Sequence, residues 1–177
     1  MKVTYENSFD WNEWSIIIVL LLGNLLIIIM PKIFSMIEGI AHYLYGIAIV
    51  QFFDHTTSVR PWDLYDVNDS SKYQLMDFIY YVMNGPFSYF FIYLYLKLKI
   101  SGYRTILYLF IWSSFSVLAE WIGVKIGLFH YQKGYKMYWS FPIYMTIQLI
   151  QLIYCHKIRR LKQEDDLRAS LLKRNKT

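Results

Sequence analysis

Two apolar runs near the start of the chain constrain its fold more than any other feature. Trp14 to Met30 is almost entirely Ile, Leu and Val, and after Pro31-Lys32 a second run continues from Ile33 to Phe53. Such stretches suit membrane-crossing helices, because about 20 apolar residues span the hydrocarbon core. One helix over the 40 residues from Trp14 to Phe53 would be about 60 Å long, roughly twice the thickness of that core. The sequence therefore predicts a hairpin of two spans that turns at Pro31-Lys32.

Three more spans complete the set: 73–96, with Asn84-Gly85-Pro86 as an expected kink; 105–129; and 138–155, with Pro142 in the first turn, where proline is tolerated. With the first two at 14–30 and 33–53, the expected fold is all-α, an integral-membrane bundle of five transmembrane helices. The bundle occupies 1–156 and a basic tail follows at 157–177. Composition agrees, since 56% of the residues are hydrophobic and the chain carries 17 Tyr, 12 Phe and 6 Trp. A soluble domain of this size has no core large enough for that apolar content, whereas Tyr and Trp are favoured at membrane interfaces.

Charge sets the expected orientation. Lys32, then Lys97, Lys99 and Arg104, then Lys157, Arg159, Arg160 and Lys162 fall on one side, while Glu6, Asp10, Glu13, Asp54, Asp63, Asp66 and Asp69 fall on the other. By the excess of Lys and Arg in cytoplasmic flanks, the N-terminus lies outside and the C-terminus in the cytoplasm of a multi-pass cell-membrane protein. Lys125, Lys133 and Lys136 run against that trend. Acidic residues precede the first run and no small-residue cleavage site follows it, so no cleavable leader is expected. The net charge of +5 is that of the tail, which has eight Lys/Arg against three Asp/Glu. That argues against a nucleic-acid surface and for anionic membrane lipid as a contact. The tail is expected to continue the fifth helix, with Glu164 and Arg168 paired at i,i+4. The single Cys155 excludes an internal disulfide and a Cys-based metal site, and no metal ligand set is expected.

The ionisable residues inside the spans are not explained by the need to cross a membrane, which penalises each by roughly 2.5–3.5 kcal/mol. In the second span Glu38 and His42 are neighbours at i,i+4. The pair suits a proton relay or a metal. Alternatively, Glu38 pairs with a lysine at the cytoplasmic end and His42 is a hydrogen-bonded core residue. In the third span Asp77, Tyr81, Asn84, Ser88 and Tyr95 share a polar face, read as a bundle interior or a cleft. In the fourth, Ser116, Ala119, Gly123 and Gly127 form a small-residue stripe for close helix packing. Glu120 borders that stripe and needs either a partner from another helix or surroundings that keep it neutral. Gln148 and Gln151 in the fifth are expected to bridge helices. The 54–72 loop is polar, and Asn68-Asp69-Ser70-Ser71 is an expected N-cap cluster. On the assigned topology Asp54, His55, Asp77 and Glu120, with Arg60, Trp62, Asp63 and Asp66 above them, form the candidate polar site in the outer half. Glu38 and His42 form a secondary inner pair.

F-D-H-T-T-S-x-x-P-W-D-L-Y-D-V-N-D at 53–69, A-E-W-I-G at 119–123 and Y-W-S-F-P-I-Y at 138–144 resemble a small, uncharacterised multi-spanning membrane-protein family of endospore-forming bacteria. The resemblance implies a multi-span architecture and no particular activity. E-W-I-G-x-x-x-G-x-F-x-Y at 120–131 is similar to a short stretch of membrane enzymes of carotenoid biosynthesis, in which acidic and aromatic residues line an isoprenoid pocket. Three functions are therefore weighed. The first is a non-enzymatic partner, sensor or accessory subunit, acting with a membrane-protein partner or as a homo-oligomer. The second is a membrane-embedded enzyme acting on a lipid or isoprenoid, with Asp77 and Glu120 as acid and base assisted by Asp54 or His55. The third is a proton- or ion-coupled transporter using Glu38, His42 and Glu120. No cofactor is assigned.

Overall fold

Helices start where the chain supplies caps. The computed structural model describes residues 9–68 and 74–174. Helix α1, Trp11–Ile29, opens on a capping box in which Asp10 accepts from the Asn12 amide and Glu13 accepts from the Asp10 amide. Helix α2, Met36–Thr57, opens on a second box. There the Glu38 carboxylate accepts from the Ser35 amide at 2.9 Å and from the Ser35 hydroxyl at 2.7 Å. This Ser-x-x-Glu signature sets the start of α2 at Met36 rather than Ile33. The helix then runs past Phe53 and carries Asp54 and His55 in its last turn.

Helix α3, Leu75–Lys97, runs unbroken through Asn84-Gly85-Pro86, the segment expected to kink. Proline donates no hydrogen bond and deprives the carbonyl four residues earlier of its partner. Here Tyr43 of α2 donates its hydroxyl to that carbonyl, Val82 O, at 3.4 Å. The same segment is where three helices meet. A Cβ on Gly46 of α2 would lie 2.5 Å from the Asn84 carbonyl, and one on Gly23 of α1 would lie 2.7 Å from Pro86. Close helix approach is thus a role of this segment. The start of the expected third span at 73, with Asp69, Ser70 and Ser71 of the expected cap, lies outside the described residues.

Helix α4, Tyr103–Lys125, ends four residues before the expected Phe129. Gly127 takes a left-handed φ of 84°, and the Leu128 amide returns to the Gly123 carbonyl at 2.8 Å, a glycine-terminated helix end. The Gly123–Gly127 pair is therefore not a helix-packing stripe. Gly127 makes the turn, and the space beside Gly123 holds the ring of Phe129, 2.7 Å from where a Cβ would stand.

Helix α5, Ser140–Arg174, follows a short 3-10 turn at Met137–Trp139 and continues without a break into the basic tail. Within it Glu164 pairs with Arg160 at 2.9 Å, one turn back from the expected Arg168.

The fold is mostly helical but not purely so. Strand β1, Tyr65–Val67, pairs antiparallel with β2, Phe129–Tyr131, in the register Tyr65 to Tyr131, Asp66 to His130 and Val67 to Phe129. The sheet joins the α2–α3 and α4–α5 connections, so both lie at one end, called here the sheet end. The α1–α2 and α3–α4 turns and the α5 extension lie at the other, where Lys162 reaches Glu38 at 3.0 Å. Helices α1 and α2 flank α3, and α4 packs on α5. A core cluster around Phe91, Ile92, Tyr108 and Leu152 fills the tail end, and one around Ile16, Tyr80, Tyr81 and Leu128 lies beneath the sheet.

Helices α1, α2 and α4 are long and apolar enough to cross a membrane. Helices α3 and α5 carry more Tyr, Asn and Gln, and α3 is also the most buried. The outer faces of α1, α2 and α4 expose Leu21, Leu25, Ile28, Ile37, Leu44, Ile106 and Ile111. So broad an apolar surface is stable only against another apolar phase, and lipid provides one.

Candidate functional site

Glu120 sits five residues before the end of α4 and is 7% exposed. Its Oε1 accepts from the Tyr131 hydroxyl at 2.5 Å and from the Ser140 hydroxyl at 2.7 Å. Tyr135 hydrogen-bonds Ser140 at 2.9 Å behind it. The donors come from β2, the following turn and the first residue of α5. The Gly127 turn is what folds this segment back over the end of α4. Oε2 is buried and has no well-formed hydrogen bond from the described residues, although the Tyr144 hydroxyl faces the carboxylate. Among the described residues no Lys, Arg or His forms an ion pair with Glu120. Lys133 is held by Asp63 at 3.2 Å, and Lys125 and Lys136 lie over the rings of Trp121 and Tyr138.

This carboxylate borders a cavity of about 100 Å³ lined from α2, α3, α5 and the two strands. Its wall is aromatic: Phe53, Tyr65, Tyr80, Phe129, Tyr131, Tyr135 and Tyr144, with Ile49, Val50, Ile143 and Ile147 below and Thr57 and Ser140 as further polar groups. Burial pushes the Tyr65 phenol up to about 12. It likewise raises Tyr131 and Tyr135, and the Glu120 charge beside them adds to the effect. These phenols are neutral hydrogen-bond donors at physiological pH.

The other predicted site residues do not share this cavity. Asp54 accepts from the Tyr81 hydroxyl and from Ser58 Oγ; it stands behind the Thr57 wall, close enough to act electrostatically on Tyr65. His55 is exposed, with Nδ1 against the Gln51 carbonyl at 3.0 Å. Asp77 serves the start of its own helix, accepting from the Gln74 amide at 2.6 Å and from the Asn68 side chain at 2.5 Å. The N-cap of α3 is Gln74, not the expected Asn68, whose side-chain amide instead donates to the Asp77 carboxylate. Asp66 accepts from Gln132 across the sheet. Asp63 binds Lys133 on the surface, and Arg60 and Trp62 are exposed on the loop. Of the eight, Glu120 alone lines the cavity, so Asp77 and Glu120 do not face a common substrate.

At the tail end Glu38 takes the alternative role, capping α2 and pairing with Lys162. His42 differs from its expectation. It is fully buried beside Phe34 and Tyr154, but neither ring nitrogen has a hydrogen-bond partner among the described residues. Its backbone carbonyl instead accepts from Ser88 at 2.5 Å, and Ser88 accepts from Gln151 at 2.6 Å. Gln148 bridges α5 to Ser113 and Ser116 of α4, so both glutamines join helices. Neither Glu38 nor His42 lines the Glu120 cavity, and no cluster of metal-ligating residues occurs among the described residues.

Sequence reasoning missed the cavity-lining residues Tyr80, Tyr131, Tyr135, Ser140 and Tyr144. In a chain with 17 Tyr, each reads as one more interfacial aromatic. The available signal was the density of Tyr between 131 and 144, beyond the last residues of α4. Comparison with known proteins found no matching family model, no matching curated protein and no matching solved structure.

Proposed function

We propose that this is a non-enzymatic ligand-binding protein of the cell membrane, a sensor or accessory subunit, whose receiving site is the aromatic pocket at Glu120. In this proposal all five helices span, the N-terminus and the sheet end face outward, and the tail lies in the cytoplasm on anionic lipid. Membership of the small membrane-protein family of endospore-forming bacteria belongs to the same proposal and adds no activity to it. Action through a membrane-protein partner or a second copy of the chain is also part of it.

One observation carries the reading. The cavity bordered by the buried Glu120 carboxylate is otherwise lined by neutral phenols, hydroxyls and apolar side chains, and no second carboxylate, histidine, lysine or cysteine lines it. The Asp77–Glu120 acid–base pair weighed from the sequence would need both groups within reach of one substrate, and Asp77 is occupied in capping. Binding needs only shape, apolar walls and a few placed polar groups. The test is mass spectrometry of the protein extracted in mild detergent, followed by incubation with membrane lipid and isoprenoid extract. A small molecule retained by the native chain and lost from Ile143→Trp, which fills the cavity, is the expected result. Conversion of any lipid that depends on Glu120 overturns it.

A further inference from the structure

We infer that the pocket takes a small organic cation, an ammonium group bearing alkyl substituents, with Glu120 as its counter-ion. The inference rests on the reading of this cavity as a ligand site and names the ligand's chemistry. The first reason is charge. A carboxylate that is 7% exposed gains from hydroxyl donors but is not neutralised by them. Burying an unpaired charge is expensive, and proteins ordinarily pair it. Here Tyr131 and Ser140 both bond to Oε1, while the buried Oε2 has no well-formed bond and is faced only by the uncharged Tyr144 hydroxyl. No protein cation among the described residues supplies the missing charge.

The second reason is the wall. Tyr and Phe rings attract cations through the negative faces of their π-systems, and cages of such rings are how proteins hold alkylated ammonium groups. Tyr65, Tyr80, Tyr131, Tyr135 and Tyr144 surround the one carboxylate. A metal ion does not fit this donor set. Hard cations require several oxygen ligands, and the apolar remainder of the wall, Ile49, Val50, Ile143 and Ile147, offers none. The volume, about 100 Å³, admits one alkylated ammonium head and little more. Such a head is carried by free amines and by zwitterionic lipids alike.

The full-length protein in phosphatidylglycerol nanodiscs provides the test, with choline as the probe and 3,3-dimethylbutan-1-ol, its uncharged counterpart in shape, as the comparison. Thermal unfolding and tyrosine fluorescence report binding. Choline is expected to stabilise the protein saturably at constant ionic strength. Glu120→Gln should weaken choline binding by about tenfold or more, in line with a desolvated cation–carboxylate and cation–π site. Ile143→Trp, which leaves Glu120 in place, should abolish it and keeps the test decisive if Glu120→Gln fails to fold. Equal binding of the uncharged alcohol, or choline affinity unchanged in Glu120→Gln, overturns the cation while leaving the pocket as an apolar ligand site. Loss of nothing on filling the cavity overturns both. Native mass spectrometry separates the two sources. Retention of phosphatidylcholine or phosphatidylethanolamine over phosphatidylglycerol marks a lipid headgroup, and choline binding without such retention marks a free amine.

Discussion

Glu120 shows how a single side chain is defined by what reaches it. Its position on α4 predicts burial, but its hydrogen-bond partners come from β2 and the start of α5. Glu120→Ala would leave the Tyr131 and Ser140 hydroxyls without their acceptor and enlarge the cavity, at an expected cost of about 2–4 kcal/mol. Glu120→Gln keeps an acceptor in place and should cost about 1 kcal/mol or less. Denaturant unfolding in detergent measures both, and equal effects would mean that Tyr131 and Ser140 do not depend on this acceptor. Asp77→Ala should cost about 1–2 kcal/mol through the lost cap and leave ligand retention unchanged. Altered retention would return Asp77 to the site. Tyr65 contributes to the alkaline limit, beside Tyr131 and Tyr135. Burial holds its phenol at about 12 in the fold, against about 10 in an unfolded chain. The native state therefore keeps a proton that the unfolded state loses. This stability is fully present below about pH 10 and is lost as pH rises through about 12. Tyr65→Phe should flatten that decline in a pH series of unfolding midpoints; an unchanged slope would assign it to other groups.

Among the elements, α2 and α3 are joined most intimately, because Gly46 brings the two backbones together and Tyr43 replaces the amide that Pro86 lacks. Gly46→Val would drive its Cβ into the Asn84 carbonyl and Ser88. The expected destabilisation is about 2–3 kcal/mol or more, the range of overpacking, and unfolding in detergent would detect it. A neutral outcome would show that the pair can separate cheaply. The Glu38–Lys162 contact contrasts with this. Lys162 is 48% exposed, so Lys162→Ala should cost no more than about 1 kcal/mol. Pro86 and Glu38 are legible in the sequence as a proline in a helix and a Ser-x-x-Glu cap. That Pro86 is where three helices converge is not, since the matching glycines lie on α1 and α2 and only packing aligns them. The mistaken helix-packing role for Gly123 and Gly127 has the same origin. Four-residue spacing is common to a helix stripe and to a glycine that ends the helix.

For the whole molecule, the sheet ties two connections to one end and so makes the proposed topology testable in a single series. In a Cys155→Ser background, cysteines at Trp62 and Lys99 should differ: the first is labelled by an impermeant thiol reagent on intact cells, the second only after permeabilisation. The reverse pattern would invert the protein, and labelling of both would break the five-span arrangement. Apolar run length and helix caps determine that the chain is mostly helical, with three helices long and apolar enough to cross a membrane, and place the ends of α1 to α4 to within about four residues. These signals are local, arising from hydrophobic transfer and capping, so the sequence alone carries them. The pairing of β1 with β2 and the gathering of five tyrosines around Glu120 were decided only by tertiary structure. Each depends on contacts between residues far apart in the chain, and one tyrosine is locally indistinguishable from the next until the fold brings the right ones together.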